Sequence, residues 1–151
     1  MGCHLVSEGA LAKSFPYLLP EECKVLCGFL EYKKCAKDEV FIRQGDAGDF
    51  MGFLLQGRLA IKKETSFPGK FVLVAILEGG SLVGEISVVE ENPRSATVVA
   101  MEESEILVLR RDKAEKLLEE NPLLAVKLLK KIIRVLGARL QKASARLAQL
   151  L

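Results

Sequence analysis

Residues 79–99, Gly-Gly-Ser-Leu-Val-Gly-Glu-Ile-Ser-Val-Val-Glu-Glu-Asn-Pro-Arg-Ser-Ala-Thr-Val-Val, bring a carboxylate, a guanidinium and several hydroxyls into one short stretch. The glycines at 79, 80 and 84 permit close approach of backbone to a ligand, and residues 86–89 predict one helical turn with free N–H groups at its start. Glu85 opens that turn. Arg94, Ser95 and Ala96 follow the break at Asn92-Pro93. A carboxylate accepts from sugar hydroxyls, a guanidinium forks onto phosphate oxygens, and exposed amides at a helix start favour an anion. Together these groups suit a sugar phosphate.

Such a stretch needs a frame to hold it. From Glu39 onward, short β-rich runs at 40–42, 50–55, 59–62, 71–77, 96–101 and 106–109 alternate with glycine-bearing turns, which predicts antiparallel strands in a sandwich or barrel. Gly45-Asp46-Ala47-Gly48-Asp49 and Gln56-Gly57-Arg58 supply the turn chemistry. Ahead of the strands, residues 11–16 and a short helix entered through Pro20-Glu21-Glu22 form a helical segment, assigned to 1–36. After Arg110 the apolar period becomes helical: Asp112 is placed to cap residues 113–120, and Asn121 to cap a long helix with Pro122 at its first position. The expected organisation is one domain over 1–151, with a β-rich middle at 37–110 and helices over 111–151.

Composition bounds the function. A chain of 151 residues, half of them hydrophobic, closes one core, and its net charge of +2 provides no broad field for nucleic acid or membrane. Charge is nevertheless uneven, since residues 122–151 contain no acid. Cysteines stand at 3, 23, 27 and 35 with no signal peptide before them, so free thiols in a reducing cytoplasm are expected. Cys23 and Cys27 are spaced to share a helix face and read as small apolar residues beneath it; no Cys-x-x-Cys pair supports a metal or iron–sulfur site, and none is expected. Met-Gly-Cys at the start lacks the Ser or Thr that myristoylation requires at position 6, where Val6 stands. His4, the one histidine, is expected in an unstructured terminus, and no nucleophile has a base beside it, so no enzyme activity is expected.

Taken singly, an acid at a helix start and an arginine after proline are ordinary surface residues. Order makes them specific. The run Lys37-Asp38-Glu39-Val40-Phe41-Ile42-Arg43-Gln44-Gly45-Asp46-Ala47-Gly48-Asp49, then Phe53-Leu54-Leu55-Gln56-Gly57-Arg58, then Gly84-Glu85-Ile86-Ser87 and Pro93-Arg94-Ser95-Ala96-Thr97, resembles the cyclic nucleotide-binding domain of catabolite activator proteins, kinase regulatory subunits and gated channels. The resemblance implies a mainly β, α+β fold: an antiparallel, jelly-roll-like β-roll with a short N-terminal helix and a long C-terminal one. It also implies a cyclic nucleotide ligand and no other cofactor; a hydroxyl residue at the place of Ser95 occurs in both adenine- and guanine-selective relatives, so cAMP and cGMP both stay open, with cAMP the favoured one. By the same resemblance Glu85 takes the ribose 2′-hydroxyl and Arg94 the cyclic phosphate. Ser95 and Ala96 add a hydroxyl and amides, and Gly84, with Ile86 and Ser87 after it, forms the cassette. Val83 departs from the aromatic often found before the cassette glycine, altering the pocket wall without removing a ligand group.

The long helix carries a second pattern. Val126, Leu129, Ile133, Leu136, Leu140, Ala143, Leu147 and Leu150 step by three and four as the a/d seam of a parallel coiled coil, which predicts a homodimer. A second stripe, Leu124, Leu128, Ile132 and Val135, is available to lie on the β-roll. Arg139-Leu140-Gln141 followed by Ser144 is similar to the segment where activator proteins reach the base, making Ser144 a candidate ligand residue. The basic residues of this helix read as a solvated face. No DNA-binding, kinase or transmembrane segment is legible, so the expected role is a nucleotide sensor whose output is a partner protein. The competing readings are a β-roll dimer that binds proteins without nucleotide and a cysteine-based redox sensor.

Overall fold

The structure, a computed structural model, describes residues 2–151. A 3-10 turn at Cys3–Leu5 is followed by α1 (Glu8–Ser14) and α2 (Pro20–Cys27). The strands are β1 (Leu30–Cys35), β2 (Val40–Ile42), β3 (Phe50–Gln56), β4 (Arg58–Glu64), β5 (Phe71–Glu78), β6 (Leu82–Val83), β7 (Thr97–Ala100) and β8 (Ser104–Arg110). A second 3-10 turn, Glu85–Val88, precedes β7, and α3 (Arg111–Glu120) and α4 (Pro122–Leu150) close the chain.

The strands form two four-stranded antiparallel sheets, in the orders β1-β8-β3-β6 and β2-β7-β4-β5. Alternation of side chains sends Phe41, Leu54, Leu59, Val98, Ile106 and Val108 into the space between the sheets. The opposite face of the first sheet presents Met51, Phe53, Leu107 and Leu109 to the helices, where they pack with Leu26, Leu117, Leu124 and Leu128. The α+β, jelly-roll-like fold expected from the sequence is therefore present.

Several local expectations are corrected. The β structure begins at Leu30, inside the segment assigned to N-terminal helices. Glu31, Lys33 and Lys34 obscured this strand, because it is buried only where Leu30 and Cys35 face inward. Asp112 falls within the first turn of α3 rather than at its cap, and the Asn121 side chain forms no cap bond. Glu22 does cap α2, accepting from the Leu19 backbone N–H at 2.8 Å.

The cysteines are not all free. Cys3 and Cys27, 24 apart in sequence, are joined in a disulfide, while Cys23 and Cys35 are free and buried. Proximity of the first 3-10 turn to the end of α2 is a tertiary fact that spacing does not encode. The same turn carries His4, so the terminus is structured at that point.

The two stripes of α4 meet different fates. Leu124 and Leu128 are buried, and Ile132 and Val135 pack on the same cluster. The other stripe lies outward, with Ile133 67% and Leu140 69% exposed. Among the described residues no helix is long and apolar enough to cross a membrane.

Candidate functional site

A cavity of about 380 Å³ opens between the second sheet, the Glu85–Val88 turn and α4, a volume within the usual range of small-molecule sites. Ile42, Ile61, Val83 and Val98 give it an apolar wall, and Gly84, Glu85, Ile86, Ser87, Arg94, Ser95 and Ala96 line the polar side. A second cavity, between α2 and the α3–α4 junction, is lined by Glu21, Glu22 and Glu120, carboxylates that would repel a phosphate.

Arg94 anchors the first cavity. It follows Pro93 in a segment pinned by two backbone bonds, Arg94 N–H to Asp46 O at 2.8 Å and Gly45 N–H to Arg94 O at 2.9 Å. Its side chain is 7% exposed and donates to Ser87 Oγ at 2.8 Å, Phe50 O at 2.6 Å and Gly84 O at 3.3 Å. The Phe50 ring lies 4.5 Å from the guanidinium. Burial lowers the Arg94 pKa, opposed by nearby Asp49, yet arginine remains charged under all ordinary conditions. The result is a buried cation whose protein partners are neutral acceptors, with two of its five N–H groups left uncommitted. Such a group has the donors to accept an anion.

Glycine is required at two places around it. Gly84 has φ +73°, a left-handed conformation that starts the Glu85 turn, and a Cβ there would fall on Arg94 Nη1. A Cβ on Gly48 would collide with Ser87 Oγ and crowd Arg94 Nε. The glycine frame read from the sequence thus clears room for the arginine.

Glu85, at the start of the turn, is little exposed and accepts from Arg139 Nη1 at 2.9 Å; Arg139 also donates to Leu82 O. The sequence singled out Ser144 on α4, but Ser144 is exposed and is not among the lining residues; α4 reaches the cavity through Arg139, one residue of the same motif. Every residue of α4 from Leu140 onward is exposed, so Ser144, five residues past Arg139, stands clear of the roll.

Arg111 was also unmarked in the sequence. It donates from Nε to Ser87 O at 2.8 Å, from Nη2 to Gly48 O and to Glu90 O at 3.1 Å, and from Nη1 to Glu91 Oε1 at 3.0 Å. It therefore ties the cassette turn to the start of α3. The Arg110-Arg111 pair at a strand-to-helix junction was the signal available for it. Ser87, grouped with the cassette, is buried and orients Arg94.

The site thus sets a buried guanidinium with uncommitted N–H groups near a carboxylate paired to Arg139, over an apolar wall. Similarity to known proteins agrees with this chemistry. The family model for the cyclic nucleotide-binding domain matches residues 32–121. The chain is 30% identical over 133 residues to the cyclic AMP receptor protein of Thermus thermophilus, covering 88% of this chain and 59% of that protein. It is 28% identical to lysophospholipase nte1 of Neurospora crassa over 87% of this chain but only 8% of the relative. Among solved structures, a cyclic nucleotide-binding domain from Methylobacillus flagellatus superposes with TM-score 0.85 at 26% identity, covering 92% of this chain and 81% of that one. The Thermus thermophilus catabolite activator protein gives 0.75 at 30%, covering 91% and 62%. With the match extending from β1 through α3 and enclosing the whole cassette, this chain belongs to the cyclic nucleotide-binding domain family.

Proposed function

We propose that this chain is a regulatory module that binds a cyclic nucleotide, cAMP in preference to cGMP, in the cavity beneath α4. The observation that carries this reading is Arg94, a buried guanidinium held by neutral acceptors with N–H groups to spare at the cavity wall. The cyclic phosphate takes those N–H groups, and Ser95 and Ala96 border the same oxygens. Glu85 uses Oε1 for Arg139, which leaves Oε2 to accept from the ribose 2′-hydroxyl. Ile42, Ile61, Val83 and Val98 supply apolar contact for the rest of the nucleotide. Likeness to a cyclic AMP receptor protein favours the adenine nucleotide.

The exposed seam of α4 supports a homodimer, built by packing Val126, Ile133, Leu140 and Leu147 against a second copy. Because Arg139 joins that helix to Glu85, occupancy of the cavity biases where α4 lies, and a protein effector reading the dimer would sense it. Isothermal titration of the purified chain with cAMP and with cGMP tests the proposal. Saturable binding that Arg94→Leu abolishes supports it; heat-silent titrations with both, checked by equilibrium dialysis, would leave a β-roll that interacts only with proteins.

A further inference from the structure

Away from the cavity, three of the four cysteines meet at one corner. Cys3 is bonded to Cys27, with Cα atoms 5.3 Å apart, and Cys23 lies about one helical turn before Cys27 on the same face of α2. Burial, and then the neighbouring Glu22, raises the Cys23 pKa, so this third thiol stays protonated and attacks the adjacent disulfide poorly. Cys3 is 1% exposed whereas Cys27 is only half-buried, which makes Cys27 Sγ the sulfur open to an incoming thiolate.

This corner is continuous with α4. Cys3, Cys23 and Leu26 belong to one core cluster with Leu124, Ala125 and Leu128, and Ile132 and Val135 pack on it. Glu22, beside Cys23, accepts from Lys127 Nζ at 2.7 Å. Without the disulfide, the first 3-10 turn is tied to the body by the bridge between Gly2 and Glu31 and by apolar packing.

We propose that Cys3 and Cys27 form a reversible thiol–disulfide clasp that sets how firmly α4 is seated on the β-roll. In the reducing direction a small-molecule thiolate, of the glutathione class, attacks Cys27 Sγ. The S–S bond breaks, Cys3 leaves as a thiolate and takes a proton from water. A second thiol then displaces Cys27 and departs as the small-molecule disulfide. The protein pair gains two electrons and two protons, and two thiols become one disulfide. Any effect on ligand affinity, transmitted through Arg139 on the same helix, rests on the nucleotide reading above.

The full chain is equilibrated with oxidised or with reduced glutathione and its thiols are counted in denaturant. The expected count is two when oxidised, for Cys23 and Cys35, and four when reduced. The reduced form, and Cys3→Ser in either buffer, should melt roughly 6–12 °C below the oxidised parent. Amides of residues 122–135 should exchange with solvent faster in the reduced state. A count of four after oxidation would overturn the clasp, and equal exchange of α4 in both states would overturn its link to the helix. These readouts need no ligand, so failure to bind nucleotide in either state would refute the nucleotide reading and leave the clasp standing or falling on its own results.

Discussion

The cassette and the long helix both border the same cavity, but they are built differently. In the cassette, Arg94 is locked by Phe50 O, Gly84 O and Ser87 Oγ, and the turn that carries Glu85 is clamped from behind by Arg111. The bonds of Arg94 are made by the roll with itself, and the clamp of Arg111 comes from the first residue of α3. α4 instead reaches the cavity through one side chain, Arg139, while Val126, Ile133, Leu140, Leu147 and Leu150 of its apolar outer stripe stand exposed. The proximal part of the helix is seated by Leu124, Ala125 and Leu128; every residue from Leu140 onward is exposed. One wall is thus preformed and the other is hinged on one side chain, Arg139, bonded to Glu85 and to Leu82 O, an arrangement that suits the proposed shift of the helix on ligand binding.

Breaking either side should have unequal consequences. The largest effect is expected from Ile133→Lys combined with Leu140→Lys. In a coiled-coil dimer each lysine would be buried in the apolar seam at a cost of several kcal/mol, roughly 2–7 on the scale for uncompensated polar burial, and sedimentation should report monomer. Both positions are exposed in the single chain, so the variant should remain folded. A dimer that survives this change would locate the contact elsewhere.

Next comes Arg94→Leu, which removes one partner of a desolvated charge pair and should weaken cAMP binding by roughly 2–5 kcal/mol, about 30-fold to 5,000-fold by titration. Unchanged affinity would remove Arg94 from the site. Glu85→Ala should cost less, roughly 1–3 kcal/mol, because it strands a ribose hydroxyl but no charge. A loss equal to that of Arg94→Leu would contradict the division of roles.

The hinged side should be milder still. Arg139→Ala breaks a partly exposed ion pair with Glu85 together with a hydrogen bond to Leu82 O, and its effect on affinity should stay at about 1 kcal/mol, with the ion-pair share shrinking in added salt. A loss as large as that of Arg94 would show that the helix is as much part of the preformed site as the cassette.

The smallest effect concerns the proximal seat. The hydrogen bond from Lys127, then that from the Leu19 backbone, holds the Glu22 carboxyl below its usual value of 4.5. A depressed folded-state value contributes stability that is present at neutral pH and lost as pH falls through it, since the unfolded chain takes up the proton first. The melting difference between the parent and Glu22→Gln should therefore narrow as pH is lowered from neutral through the carboxylate range. A difference that persists in acid would assign the effect to packing.

Much of this was written in the chain itself. Gly84, Glu85, Arg94, Ser95 and Ala96 were legible because a local turn and its flanking strand fix which groups lie together, and the glycines announce where backbone conformation or crowding forbids a side chain. The two stripes of α4 were legible for the same local reason, a helical period. Which stripe faces the roll was confirmed only by packing, and Ser144 stands exposed off the cavity lining because periodicity says which face a residue occupies but not where along the helix the roll ends. β1 was hidden because a strand whose outward residues are charged lacks an apolar run. The clamp of Arg111 and the Cys3–Cys27 bond were decided by tertiary structure alone, as was the pairing of Arg139 with Glu85 within a motif the sequence had marked, since each joins segments distant in sequence. Local chemistry determines which groups can act; the closing of the chain on itself decides which of them meet.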